Sequence, residues 1–174
     1  MLTFLPQCLR GGLILLLIIC STLILVPFLL LAALLKLLIP LTATRRWFTI
    51  ISIEIANLWV GFNNLLLQVV NNIEWDIEGT DGLDPKDWYF VTCNHQSWAD
   101  ILVAQKALFR KIPMLKFFLK QQLIWVPVIG LAWWALDFPF MKRYSPAEIE
   151  KNPALKGKDL ETTRKACEKF KYTP

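Results

Sequence analysis

The sequence is poor in the side chains that bind metals or build disulfide frameworks. It contains one histidine, His95, in 174 residues. The cysteines Cys8, Cys20, Cys93 and Cys167 include no C-x-x-C pair and show no regular spacing. A zinc site needs about four closely spaced Cys or His ligands, and a disulfide framework needs regularly spaced cysteines. We therefore expect no metal and no disulfide, and interpret the cysteines as reduced thiols in a cytoplasmic setting.

Charge is missing from the long apolar run between Arg10 and Lys36. A helix needs about 20 residues to cross a hydrocarbon layer of ~30 Å, whereas a signal peptide has an apolar region of about 7–15 residues and a small-residue cleavage site. The run therefore predicts a membrane-spanning segment over residues 1–43. Because Pro27 lies near the middle, two forms stay open for residues 11–39, a straight or kinked span and a re-entrant hairpin.

Basic residues are more frequent after the apolar run than before it. Arg10 precedes the run, whereas Lys36, Arg45 and Arg46 lie on its far side. Positive charge marks the cytoplasmic side of a span, so we predict an integral membrane protein whose later part faces the cytoplasm, at the inner membrane if the protein is bacterial. The net charge of +5 suits anionic lipid headgroups, a phosphate-bearing substrate or nucleic acid, and equally a solvated basic surface.

Residues 44–72 combine an apolar composition with one narrow polar stripe. The polar positions recur at steps of three and four residues: Glu54, Asn57, Gly61, Asn64 and Gln68. This spacing predicts a helix with one polar face. Such a helix either lies in the membrane interface or forms a second span, and we favour the interface.

The pattern changes at residue 73 to one typical of an α/β fold. Residues 73–78 alternate apolar and acidic side chains, and residues 88–93 form a short apolar run, so each predicts a strand. Residues 98–109 follow as a helix, with Ser97 as its N-cap. The remaining predicted elements are strands at 116–119 and 138–141 and helices at 128–136 and 155–170. We therefore predict a layered α/β domain over residues 73–174, preceded by the membrane helix or helices.

The only histidine lies where the second predicted strand gives way to a helix, in the segment Asn-His-Gln-Ser-Trp-Ala-Asp at residues 94–100. Catalytic groups in α/β folds gather at strand ends. An imidazole can accept a proton from an alcohol near neutral pH, and a carboxylate one turn away can hold its tautomer. His95 and Asp100 are therefore candidates for a catalytic pair. The alternative is a histidine that caps the helix beside an Asp that only complements the helix dipole.

Three other chemistries would use the same residues. Cys93 could be a nucleophile beside His95, but a thiol in an apolar run is usually inert. Ser97 could be a nucleophile, but it lacks the glycines of a nucleophile elbow. A metal site would need more His or Cys ligands than the chain contains.

Residues 94–100 resemble the N-H-x-x-x-x-D signature of the 1-acyl-glycerol-3-phosphate (lysophosphatidate) acyltransferase family. Phe-Met-Lys-Arg at residues 140–143 is similar to the second block of that family, Gly-x-x-Phe-Ile-x-Arg. Asp137 stands where the family usually has Gly. The two motifs occur in the family's order, about 40 residues apart, on predicted strand ends.

The resemblance implies transfer of an acyl group from acyl-CoA or acyl-carrier protein to a lysophospholipid hydroxyl, in phospholipid synthesis or remodelling at a membrane. His95 would be the general base and Asp100 would orient it. Arg143 would bind the acceptor phosphate, and Asn94 and Lys142 would also contact substrate. No metal and no resident cofactor are expected, and no nucleic-acid partner.

The family's third block, Glu-Gly-Thr-Arg, does not occur in the sequence. Glu-Thr-Thr-Arg at residues 161–164 lacks the glycine and lies inside a helical pattern, so we do not assign it that role. We therefore expect a truncated member, incomplete in its C-terminal part, and leave open both an active and an inactive form of the chain alone. The alternative is a non-catalytic, membrane-anchored protein that binds anionic lipid or a partner.

Overall fold

In a computed structural model, residues 6–39, 41–70, 73–142 and 144–170 are described. Two long helices come first, α1 (Gln7–Leu38) and α2 (Thr42–Val70). Shorter elements follow in the order α3 (Ala99–Leu108), β1 (Leu119–Lys120), a 3₁₀ helix (Gln121–Trp125), α4 (Ile129–Ala135), β2 (Phe140–Met141), α5 (Pro146–Lys151), a second 3₁₀ helix (Pro153–Leu155) and α6 (Lys158–Phe170). The described residues are mostly helical, with little sheet.

The apolar N-terminal run is one continuous helix. Pro27 lies inside α1 without breaking it, so the described residues do not form the re-entrant hairpin that we had left open. α1 and α2 are both long and apolar enough to cross a membrane. The predicted helix at residues 44–72 is confirmed as α2, which begins at Thr42.

The chain forms two compact units, and α1 and α2 contribute residues to both. The first unit comprises Met1–Leu25 and Glu54–Leu115. Within it, the indole Nε1 of Trp59 donates a hydrogen bond of 3.0 Å to the hydroxyl of Thr22, which joins α2 to α1. An interhelical bond of this kind satisfies a polar side chain between two largely apolar helices.

The predicted polar stripe of α2 packs in part against the end of α3. The ring of Phe109 lies within 3.2 Å of the position that a Cβ on Gly61 would occupy. Arg110 lies 3.6 Å from the carboxylate of Glu54. Asn64 is buried. The stripe is therefore the polar face that we predicted, and some of its residues make contacts inside the first unit.

The second unit comprises Val26–Ile53 and Lys116–Pro174. Its sheet consists of β1 and β2, which pair in parallel with Leu119 opposite Phe140 and Lys120 opposite Met141. The helix predicted at 128–136 is confirmed as α4, and the one predicted at 155–170 as α6. The strand predicted at 116–119 shares one residue with β1, which covers Leu119–Lys120, and the strand predicted at 138–141 is formed only at its last two residues, β2.

Two predicted strands are wrong for the described residues. Residues 73–78 and 88–93 have no regular secondary structure. Phe90 is 79% exposed, so the second of these runs is also not the buried strand that we expected. A strand is stabilised by hydrogen bonds to a neighbouring strand, and neither run is paired with one. The layered α/β arrangement therefore stays a prediction.

Candidate active site

The segment that carries the only histidine lies in the first unit, in an exposed loop followed by a helix. Residues 88–96 have no regular secondary structure, and α3 begins at Ala99. Trp98 occupies the N-cap position, one residue later than the N-cap that we predicted at Ser97. The Ser97 hydroxyl still accepts a hydrogen bond of 3.2 Å from the Ala99 N–H. Ser97 therefore helps to order the start of α3 from just outside the helix.

Asp100 is held by the backbone of the loop that precedes it. One carboxylate oxygen, Oδ2, accepts hydrogen bonds from the N–H of Gln96 at 2.5 Å and the N–H of Ser97 at 2.7 Å. The hydrogen bonds from Ser97 and Gln96 lower the pKa of Asp100, and His95 lowers it further. The carboxylate is therefore negatively charged at neutral pH and fixed in one direction.

The same oxygen of Asp100 faces the histidine. Nδ1 of His95 lies 3.3 Å from Oδ2 of Asp100. The His95 side chain is 56% exposed, whereas that of Asp100 is 30% exposed. A carboxylate at Nδ1 favours the tautomer that carries its proton there, which leaves Nε2 free to accept a proton. The structure thus brings together the predicted catalytic pair, with the second ring nitrogen of an exposed imidazole available to a substrate.

The two alternative nucleophiles, Cys93 and Ser97, differ in their contacts. Cys93 lies in the apolar run that we noted but is exposed, so burial does not shield its thiol. Ser97 accepts a hydrogen bond from the backbone at the start of α3, which is a structural role. In the described part of the chain, no group of three or more His, Cys, Asp or Glu side chains could hold a metal ion.

The second sequence block lies in the second unit. Phe140 and Met141 form β2, and Lys142 follows directly with an exposed side chain whose Nζ lies 5.1 Å from the centre of the Tyr144 ring. Arg143, the residue expected to bind phosphate, lies outside the described residues. Of the other predicted substrate contacts, Asn94 is exposed in the loop before α3.

Asp137, which stands in place of the family's glycine, has the backbone conformation that glycine favours. Its φ is 61°, in the left-handed region. Its N–H donates to the carbonyl of Trp134, and the N–H of Phe138 donates to the carbonyl of Trp133, each at 3.0 Å. This pair of bonds at the end of α4 is a Schellman motif, in which the first residue after the C-cap is usually Gly. Asp137 therefore adopts, at the end of α4, the left-handed backbone conformation that glycine usually provides there.

Residues 161–164, which we did not assign to the third block, lie inside α6 as predicted. The carboxylate of Glu161 pairs with Lys165 at 2.7 Å, four residues further along the same helix. This pair lowers the pKa of Glu161. Glu161 thus forms an ion pair on the surface of α6.

Two features near the second block were missed by the sequence analysis. Lys36, in the last turn of α1, forms an ion pair with Asp137. Gly130 lies so close to the preceding 3₁₀ helix that an added Cβ would come within 2.2 Å of the Ile124 carbonyl oxygen. The lone cation at the end of a long apolar run and the aspartate at a glycine position were the available signals for the first feature. The sequence carries no signal for the second.

Comparison with known proteins identifies one match. A family model described as Acyltransferase matches residues 74–171, which is more than half of the chain. The matched residues include both sequence blocks and all of α3, α4, α5 and α6. No curated protein and no solved structure matches.

Proposed function

The chain belongs to the Acyltransferase family, which contains the 1-acylglycerol-3-phosphate acyltransferases, and we propose that it transfers a fatty acyl group to the hydroxyl of a lysophosphatidate-like lysophospholipid. The acyl donor is the thioester of acyl-CoA or of acyl-carrier protein. The observation that carries the proposal is the contact of 3.3 Å between His95 and Asp100 in the N-H-x-x-x-x-D segment.

The reaction needs a base and a fixed orientation for that base. Nε2 of His95 takes the proton from the acceptor hydroxyl as its oxygen attacks the thioester carbonyl. The C–S bond breaks, the new ester forms, and the imidazolium returns the proton to the departing thiolate. Asp100 stabilises the imidazolium through Nδ1 and stays ionised itself. No covalent acyl-enzyme is formed, so neither Cys93 nor Ser97 has a part in the transfer.

The acceptor is bound through its phosphate in this proposal. A planar guanidinium matches two phosphate oxygens, which is the role we give to Arg143. Lys142 adds a second positive charge beside it in the sequence. Asn94 binds the substrate next to the base. Acyl-chain length and headgroup preference depend on further contacts that the motifs do not define.

We place the reaction at a membrane surface. α1 and α2 are long and apolar enough to span a bilayer, and a lysophospholipid acceptor would be presented at headgroup depth. The basic residues that follow α1 favour a cytoplasmic location for the later part of the chain. α1 serves as a span in this arrangement, and α2 lies in the interface.

The test uses membranes that contain the chain, supplied with labelled acyl-CoA or acyl-carrier protein and lysophosphatidate. Labelled phosphatidate is the expected product, in excess over membranes without the chain. Binding to anionic liposomes with no turnover from either donor would instead support the non-catalytic, lipid-binding alternative.

The exposed thiol provides a further control on the route of transfer. Cys93→Ala should transfer at the rate of the unchanged chain, because direct attack needs no acylated cysteine. Acid-quenched reactions of the unchanged chain should contain no acylated protein. Loss of transfer in Cys93→Ala, together with a trapped thioester, would show that Cys93 is the nucleophile.

A further inference from the structure

The ion pair between Lys36 and Asp137 joins the end of α1 to the loop that leads into β2. Both side chains are only 16% exposed. Lys36 is the only charged residue of α1 after Arg10. A partly desolvated lysine in this position is costly unless a carboxylate compensates it, so the two residues depend on each other.

Asp137 has a backbone conformation that favours glycine over aspartate. A residue with φ of 61° in a Schellman motif is most stable as glycine, and any other residue carries some strain. Asp and Asn tolerate this conformation better than most residues. The strain at Asp137 is offset by something that glycine cannot provide, which in this structure is a carboxylate for Lys36.

The position of Asp137 determines where the second block begins. Phe138 is buried and its ring stacks on that of Phe117, with centroids 6.2 Å apart. The Pro139 carbonyl accepts a hydrogen bond of 2.9 Å from the N–H of Leu119, where the pairing of β2 with β1 begins. Lys142 follows β2 directly. Only four residues separate Asp137 from this exposed cation, so the ion pair, the stacked Phe138 ring and the pairing of β2 all act on one short segment.

We propose that the Lys36–Asp137 ion pair is a positioning device that fixes the acceptor-binding loop, residues 137–142, at the C-terminal end of α1. In the proposed reaction, on which the acceptor role rests, the pair holds Lys142 at the depth of a lysophospholipid phosphate. The pair has no part in the proton transfer that we propose for His95. Its loss therefore weakens acceptor binding and leaves the chemical step nearly intact.

The test compares four changes with one control. Lys36→Met and Asp137→Asn each break the pair, and Asn still accepts the left-handed backbone. The reversed pair Lys36→Asp with Asp137→Lys should restore part of the function, and the conservative change Lys36→Arg should keep the ion pair. Lys165→Met is the matched control, because it breaks the exposed pair between Lys165 and Glu161 in the same unit.

Two measurements are made on the full chain in membranes. The KM for lysophosphatidate should rise about tenfold in Lys36→Met and in Asp137→Asn, while kcat should stay within about twofold. The reversed pair should raise this KM by less than either of these single changes. Trypsin cleavage after Lys142, which needs no turnover, should become about tenfold faster in the same variants because the loop opens more often. Lys36→Arg should stay close to the unchanged chain in both measurements, as should Lys165→Met.

The outcomes separate this inference from the proposed function. If the unchanged chain transfers no acyl group, the proposed function fails and the trypsin measurement still decides whether the pair holds the loop. An unchanged cleavage rate in Asp137→Asn and Lys36→Met overturns the inference. So does an acceptor KM that stays constant while kcat falls, since the pair would then act on the chemical step or on folding.

Discussion

Gly130→Ala is the substitution for which the structure gives the clearest energetic expectation. Gly130 is buried in the first turn of α4, directly behind the 3₁₀ helix that ends at Trp125. An added Cβ would lie 2.2 Å from the carbonyl oxygen and 2.7 Å from the carbonyl carbon of Ile124. Real Cβ contacts are essentially never below 3.0 Å. Both neighbours are backbone atoms, so no side chain can turn away to relieve the overlap.

The expected change in the free energy of unfolding is the difference between two contributions. Forcing a methyl group into a packed contact costs about 1–3 kcal/mol, and more where the backbone must move. Replacing Gly by Ala inside a helix stabilises the helix by about 1 kcal/mol. Because the overlap is with backbone atoms, the upper end of that cost applies and the net destabilisation is about 2 kcal/mol, which for a chain of this size lowers the midpoint of thermal unfolding by about 4–8 °C.

The assay is thermal unfolding of the purified full chain in detergent micelles, followed by tryptophan fluorescence at one scan rate. Two other glycines in helices provide a graded control. Gly12, in α1, has no atom within 4 Å of its added Cβ, so Gly12→Ala should not be destabilising. At Gly61 the nearest atom is the end of the Phe109 ring at 3.2 Å, so the effect of Gly61→Ala should lie between the other two. If Gly130→Ala unfolds at the same temperature as Gly12→Ala, the close approach of α4 to the 3₁₀ helix is wrong.

Two further predictions concern Asp100. Asp100→Asn keeps an oxygen for the N–H groups of Gln96 and Ser97 but removes the charge beside His95, so we expect kcat for acyl transfer to fall by about 10²-fold with little change in acceptor KM; a rate equal to that of the unchanged chain would exclude the orienting role. Because the folded pKa of Asp100 is lowered, its contribution to loop stability is present above the unfolded value of about 3.9 and is lost as the pH falls through the lower folded value. Hydrogen exchange of the Gln96 and Ser97 amides, corrected for the intrinsic rate at each pH, should therefore show equal protection at pH 7 and pH 5, and a loss of protection between these values would contradict the assignment.

The helices α1, α2, α3, α4 and α6 could be predicted because their signals are local, whereas α5 was missed. α1 follows from an uninterrupted apolar run, and the polar spacing of α2 follows from the period of a helix. α3, α4 and α6 were placed to within about three residues, which is the usual uncertainty of boundary signals. The contact between His95 and Asp100 is also local, because the two residues are only five positions apart and α3 begins between them.

The strands could not be predicted in the same way because a strand depends on a partner. The alternation at residues 73–78 leaves Trp75 and Ile77 partly buried, as a one-sided strand would, yet no ladder forms along it. The apolar run at residues 88–93 has the composition of a buried strand and is exposed. The composition of a segment indicates whether it is suited to a strand. Whether a strand forms depends on which segment lies beside it.

The features around Asp137 depend on residues far apart in the sequence. Lys36 and Asp137 are joined only after α1 and the loop following α4 are both in place. The departure from the family's glycine indicated that this position is unusual. The positive φ and the partner at Lys36 required the structure.

The role of His95 is tested most directly by the single-turnover rate of acyl transfer from labelled acyl-CoA to lysophosphatidate, in the unchanged chain and in His95→Ala. We predict that the substitution lowers this rate by about 10²–10⁴-fold while the thermal unfolding midpoint stays the same, because an exposed imidazole in a loop contributes to chemistry and not to the core. Transfer by His95→Ala at the rate of the unchanged chain would contradict general-base catalysis by His95.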